Sequence, residues 1–62
     1  MELTITVYRE RYSCWTEIAQ YQSCHVPRVG ERIRIPEGYF TVTDVIYDIK
    51  GSLQSVELHV EY

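Results

Sequence analysis

Glu31-Arg32-Ile33-Arg34-Ile35-Pro36-Glu37-Gly38-Tyr39-Phe40-Thr41-Val42 is the stretch on which the fold turns. Arg32 and Arg34 alternate with Ile33 and Ile35, the period of two that marks a half-buried strand. Pro36 presets φ at about −65°, and Gly38 accepts the positive φ that closes a tight reversal. The chain therefore turns back on itself and returns, from Tyr39 to Ile49, as a second strand rich in β-branched and aromatic residues. The two should be adjacent and antiparallel.

Working outward, the same alternation recurs near both ends. Leu3, Ile5 and Val7 interleave with Thr4, Thr6 and Tyr8, and Val56, Leu58 and Val60 interleave with Glu57, His59 and Glu61. Lys50-Gly51-Ser52 marks a second reversal. A three-residue loop there sets Ile49 opposite Leu53, Ile46 opposite Val56 and Val42 opposite Val60, at the cost of Asp44 facing Leu58. The apolar parity also changes between Val42 and Val45, which predicts a bulge or sharp bend near Thr43-Asp44. From Ser13 to Ser23 periodicity does not decide. Trp15, Ile18, Ala19 and Gln22 share a helical face, whereas Trp15, Glu17, Ala19 and Tyr21 share a strand face. The lack of a capping glycine before Pro27 favours an extended segment beside the first strand.

These readings predict an all-β fold, a single small antiparallel sheet of about five strands curled into a barrel. Its core candidates are Leu3, Ile5, Val7, Ile33, Ile35, Phe40, Val42, Ile46, Val56, Leu58 and Val60. With 62 residues, 45% apolar and 24% charged, the chain suits one domain spanning 1–62 and has no room for a second core. The formal charge of −3 opposes a generic electrostatic sleeve around nucleic acid. No apolar run approaches a membrane span, and Met1-Glu2-Leu3-Thr4-Ile5 lacks the basic and apolar blocks of a signal peptide. The expectation is a cytoplasmic chain with Cys14 and Cys24 as free thiols.

Cys14, Cys24, His25 and His59 are the zinc-type ligands, but no C-x₂-C or H-x₃-H spacing joins them, so neither metal nor other cofactor is expected. A Cys-His nucleophile is conceivable, yet so small a domain has little volume to spare for a substrate pocket. The chain is read as no enzyme, with no catalytic residues. Five of its six basic residues are arginines and six residues are tyrosines, the pairing enriched in binding hot spots. The plainer account has tyrosines plugging the core and arginines paired with Glu10, Glu31 and Glu37 on a solvated face. The functional account puts a protein partner on Arg32, Arg34, Tyr39 and Tyr47. The alternative is single-stranded nucleic acid stacked and held by the same residues. His59 stands between Glu57 and Glu61 on one strand face. A small core, together with Val45 and Tyr47 expected beside Glu57 and His59, predicts a homodimer through Val45 and Tyr47 or through the edge of the first strand.

Val29-Gly30-Glu31-Arg32-Ile33-Arg34-Ile35, followed by Glu37-Gly38-Tyr39-Phe40-Thr41-Val42-Thr43-Asp44-Val45, resembles the strand, turn, strand grammar of SH3-like barrels. The resemblance covers about a third of the chain and implies an SH3-like small barrel serving as a binding module. In size and style the whole is also similar to very short β-proteins of phages and bacteria, some of which inhibit host defence. That likeness implies a stand-alone inhibitor, such as a phage anti-defence protein, or an adaptor.

Overall fold

The computed structural model describes residues 2–50 and 53–62, with the backbone alone at 50 and 53. Five strands, β1 (Leu3–Arg11), β2 (Cys14–Ser23), β3 (Arg32–Ile35), β4 (Gly38–Lys50) and β5 (Leu53–Glu61), form one sheet in the order β2-β1-β5-β4-β3. The sheet curls into a half-barrel, and the fold is all-β as expected. Among the described residues no helix is long and apolar enough to cross a membrane.

The hairpin read from the sequence is present. Ile35 pairs with Gly38, Arg34 with Tyr39, Ile33 with Phe40 and Arg32 with Thr41, while Gly38 takes φ of 136°. Two backbone bonds, Gly30 N–H to Val42 O and Val42 N–H to Glu31 O, continue the ladder beyond Arg32. The segment from Ser13 to Ser23 is extended, and β2 runs antiparallel to β1. Its mixed periodicity has a physical cause. Val7 pairs with Ala19 but Tyr8 with Glu17, so Ile18 is an extra residue that bulges out and reverses the parity of the strand. Trp15 and Glu17 thus lie on the outer face and Ala19 and Tyr21 on the inner one, instead of all four together.

The second hairpin differs from its sequence reading. Lys50 pairs with Leu53, Ile49 with Gln54, Tyr47 with Val56, Ile46 with Glu57 and Val45 with Leu58. That is the register of a two-residue connection; the turn itself, at 51 and 52, lies outside the described residues. The expected bulge is present at Thr43, and it restores Val42 opposite Val60. Because the bulge absorbs one residue, the apolar parity is met without a longer loop, and Asp44 faces His59 instead of Leu58.

A further correction concerns strand direction. β1 and β5 are parallel, with Ile5 beside Val56 and Val7 beside Leu58, so the sheet is mixed and not purely antiparallel. β1 is consequently an interior strand with both edges paired, and it offers no free edge to a second copy. The edges of the sheet are β2 and β3.

The core is Ile5, Val7, Phe40, Val42, Val56, Leu58 and Val60, all from the three central strands. Ile46, expected inside, pairs with Glu57 on the outer face and is 38% exposed. One end of the half-barrel is plugged by a layered contact. The rings of Phe40 and Tyr62 stack at 4.7 Å, and the Arg9 guanidinium lies 4.3 Å from the Tyr62 ring centroid. Arg11 and Glu37, 3.7 Å apart, link β1 to the β3–β4 turn at the same end.

Candidate functional site

Alternation along β3 assigns its side chains to two surfaces. Ile33 and Ile35 face inward, half-buried against the core, while Arg32 and Arg34 are exposed on the outer face. Pairing across the hairpin sets Arg34 beside Tyr39 and Arg32 beside Thr41. Both guanidinium groups converge on one ring: Arg32 lies 5.9 Å and Arg34 5.6 Å from the Tyr39 centroid. Tyr39 itself is 56% exposed. Among the described residues the carboxylates close to a basic side chain are Glu37 beside Arg11 and Glu57 beside His59, so neither Arg32 nor Arg34 is matched with a carboxylate there. Glu31 accepts from the backbone N–H of Arg28 at 2.6 Å instead. The result is two fork-shaped donors beside one exposed phenol, an arrangement suited to carboxylate or phosphate oxygens.

Three of the four residues expected to meet a partner are therefore brought together. Tyr47 is not. It lies eight residues beyond Tyr39 on β4, roughly 25 Å away along the strand, and the Thr43 bulge turns it onto the inner face. There it joins Val45, opposite Val56 and Leu58. The expected patch of Val45 and Tyr47 beside Glu57 and His59 does not form, because those pairs of residues occupy opposite faces of the sheet.

Val45 and Tyr47 instead line an open groove of about 1420 Å³ on the inner side of the half-barrel, together with Leu3, Tyr21, Val26 and Ile33. The groove exists because the sheet never closes: β2 and β3 are not paired with one another, and the 24–31 segment bridges the gap between them. Of the half-buried apolar side chains packed against the core, Leu3, Tyr21, Val26, Ile33 and Val45 line this groove, while Ile18, Ala19 and Ile35 do not. The open shape is also visible in the total surface. The accessible area of 4658 Å² exceeds the roughly 4200 Å² expected of a compact monomer of this mass.

The outer face of the central strands has a different character. Trp15 stacks on His59 at 4.1 Å, Tyr8 meets the same imidazole edge-on at 6.0 Å, and Glu57 lies 3.7 Å from its Nε2. Burial, and then the carboxylates of Glu57 and Glu17, push the Tyr8 phenol above its ordinary value. Burial alone does the same for Tyr21. The Trp15–His59 stack left no trace in the sequence, since it joins β2 to β5 across the intervening β1. Cys14 begins β2 and Cys24 follows its last residue, both exposed and roughly 30 Å apart along the strand, too far to share a disulfide or a metal ion. Among the described residues no group of three His, Cys, Asp or Glu side chains gathers as a ligand set.

Comparison with family models, with curated proteins and with solved structures found no match.

Proposed function

We propose that this chain is a non-catalytic protein-binding module, an SH3-like small barrel acting as a stand-alone inhibitor or adaptor, whose contact surface is the β3–β4 hairpin. One observation carries the reading: Arg32 and Arg34, exposed and unmatched by a carboxylate among the described residues, lie beside the exposed Tyr39 ring, and Arg32 also lines the open groove of mixed polar and apolar character. Arginine and tyrosine supply large contact area and directional donors, and they concentrate binding energy when desolvated by a partner. The rigid hairpin holds them in place before contact, which lowers the ordering cost of association.

The same three side chains suit a second occupant, since an aromatic platform with flanking guanidinium groups also serves single-stranded nucleic acid. The overall charge of −3 opposes it. Affinity capture compares wild-type protein with Arg32→Glu/Tyr39→Ala, alongside an oligonucleotide titrated at several salt concentrations. The expected result is a protein retained by wild type and lost by the variant, with no oligonucleotide binding at physiological salt. Tight oligonucleotide binding that falls steeply with salt, and no retained protein, overturns the proposal in favour of nucleic acid.

A further inference from the structure

The sheet stops at β3. One side of this strand pairs with β4, while among the described residues the other has no ladder partner, leaving main-chain donors and acceptors unmatched by any neighbouring strand. β2, the other edge, is interrupted by its bulge at Ile18 and carries Glu17 as its one charged residue. β3 is uninterrupted; just before it the chain turns at Arg28–Glu31, where Glu31 N–H donates to Arg28 O, and the bonds of Gly30 and Glu31 with Val42 tie that turn to β4. We infer that the free edge of β3 accepts an extended segment of a partner protein in which acidic residues alternate with apolar ones. The inference rests on the binding-module reading and specifies what that module binds.

Strand geometry gives the alternation. Arg32 and Arg34 are two residues apart on the outer face, a spacing of about 6.6 Å. Carboxylates at alternate positions of an added strand have the same backbone spacing, so two of them meet the two guanidinium groups once Arg32 and Arg34 swing from the Tyr39 ring toward the free edge. The intervening side chains of the added strand point inward, as Ile33 and Ile35 do. There they meet the groove, whose wall includes Tyr21, Val26 and Val45. One segment thereby supplies three missing elements: backbone partners for the edge, negative charge for the unmatched arginines, and apolar cover for half-buried core residues. This is strand addition, in which main-chain bonds give affinity and alternate side chains give specificity. A nucleic acid matches the charge but offers nothing to the edge amides, and its polyanion would lie against a protein of charge −3.

The test uses the full chain and three labelled octapeptides in fluorescence anisotropy: alternating Val and Glu, the same residues in two blocks, and alternating Val and Lys. The Val/Glu alternating peptide should bind saturably, at least tenfold more tightly than the blocked one. Methylating its alternate amide nitrogens should abolish binding on the phase that faces β3. The Arg32→Glu/Arg34→Glu protein, checked for its fold by circular dichroism, should lose at least tenfold in affinity for that peptide and gain affinity for the Val/Lys peptide. Equal affinity for the alternating and blocked peptides overturns the inference, as does binding unchanged by charge reversal or surpassed by an octanucleotide. If the peptides fail while wild-type protein retains a captured partner that Arg32→Glu/Tyr39→Ala loses, the binding module stands and the acidic strand falls.

Discussion

The turn between β1 and β2 carries strain whose relief can be measured. Arg11 pairs with Cys14, so Tyr12 and Ser13 alone make the reversal, and both adopt left-handed backbone, with φ of 51° and 65°. Two positive φ values define the turn that matches strand twist in a two-residue hairpin, and asparagine followed by glycine is its preferred sequence. An L-residue with a full side chain costs about 1–2 kcal/mol in this region. Asparagine recovers part of that cost, whereas glycine recovers it all and returns about 0.5–1 kcal/mol through greater freedom of the unfolded chain. Tyr12 is 99% exposed, so replacing it removes no packing. The balance for Tyr12→Asn/Ser13→Gly is a gain of about 1 kcal/mol. In a domain of this size that raises the melting temperature by roughly 4–8 °C, and it moves the urea midpoint by up to about 1 M at unchanged slope. Urea titrations of both proteins followed by circular dichroism are the assay. An unchanged or lowered midpoint refutes the reasoning, because it would mean that the left-handed pair carries no strain to relieve.

Other outcomes follow from the core, the groove wall and the phenols. Leu58→Ala, at a fully buried position between β1 and β4, should cost about 3 kcal/mol in the same urea assay; a loss under 1 kcal/mol would show that the core does not rest on this side chain. Tyr47, 59% exposed beside Val45 and the 67% exposed Ile49 on the inner face, should drive self-association through the groove when no partner fills it. Sedimentation should then show a dimer at high micromolar concentration that Tyr47→Asp returns to 7.4 kDa, and a wild-type monomer throughout refutes it. The raised phenols of Tyr8 and Tyr21 bind their protons more tightly folded than unfolded. Their contribution is therefore complete below the ordinary value of 10.0 and is lost as pH climbs through the folded values. Stability should decline above about pH 10. Glu57→Gln should bring the Tyr8 transition, followed by ultraviolet absorbance, to lower pH; no movement would remove Glu57 as a cause.

Much of this architecture was legible one residue at a time. Alternation in Leu3–Val7, Val56–Val60 and Arg32–Ile35 marked strands, and the eleven core candidates read from the sequence include all seven residues that fill the core, because side chains in a strand alternate faces whatever the strand pairs with. Pro36 and Gly38 marked a hairpin for an equally local reason, and the parity change after Val42 marked the bulge at Thr43. That hairpin also brought Arg32, Arg34 and Tyr39 together, so most of the candidate site follows from a dozen neighbouring residues. What lay beyond local reading was decided by contacts distant along the chain. The parallel union of β1 with β5 joins the two ends, and nothing within either strand states which partner it will take or in which direction. That union places β1 in the middle of the sheet and moves the free edges to β2 and β3. Two bulges then decide on which face Trp15, Tyr47 and Val45 emerge, since one extra residue exchanges inside for outside along the rest of a strand. The groove belongs to the tertiary structure entirely: it is the space left where β2 and β3 do not meet, and no residue of either strand records that they are apart.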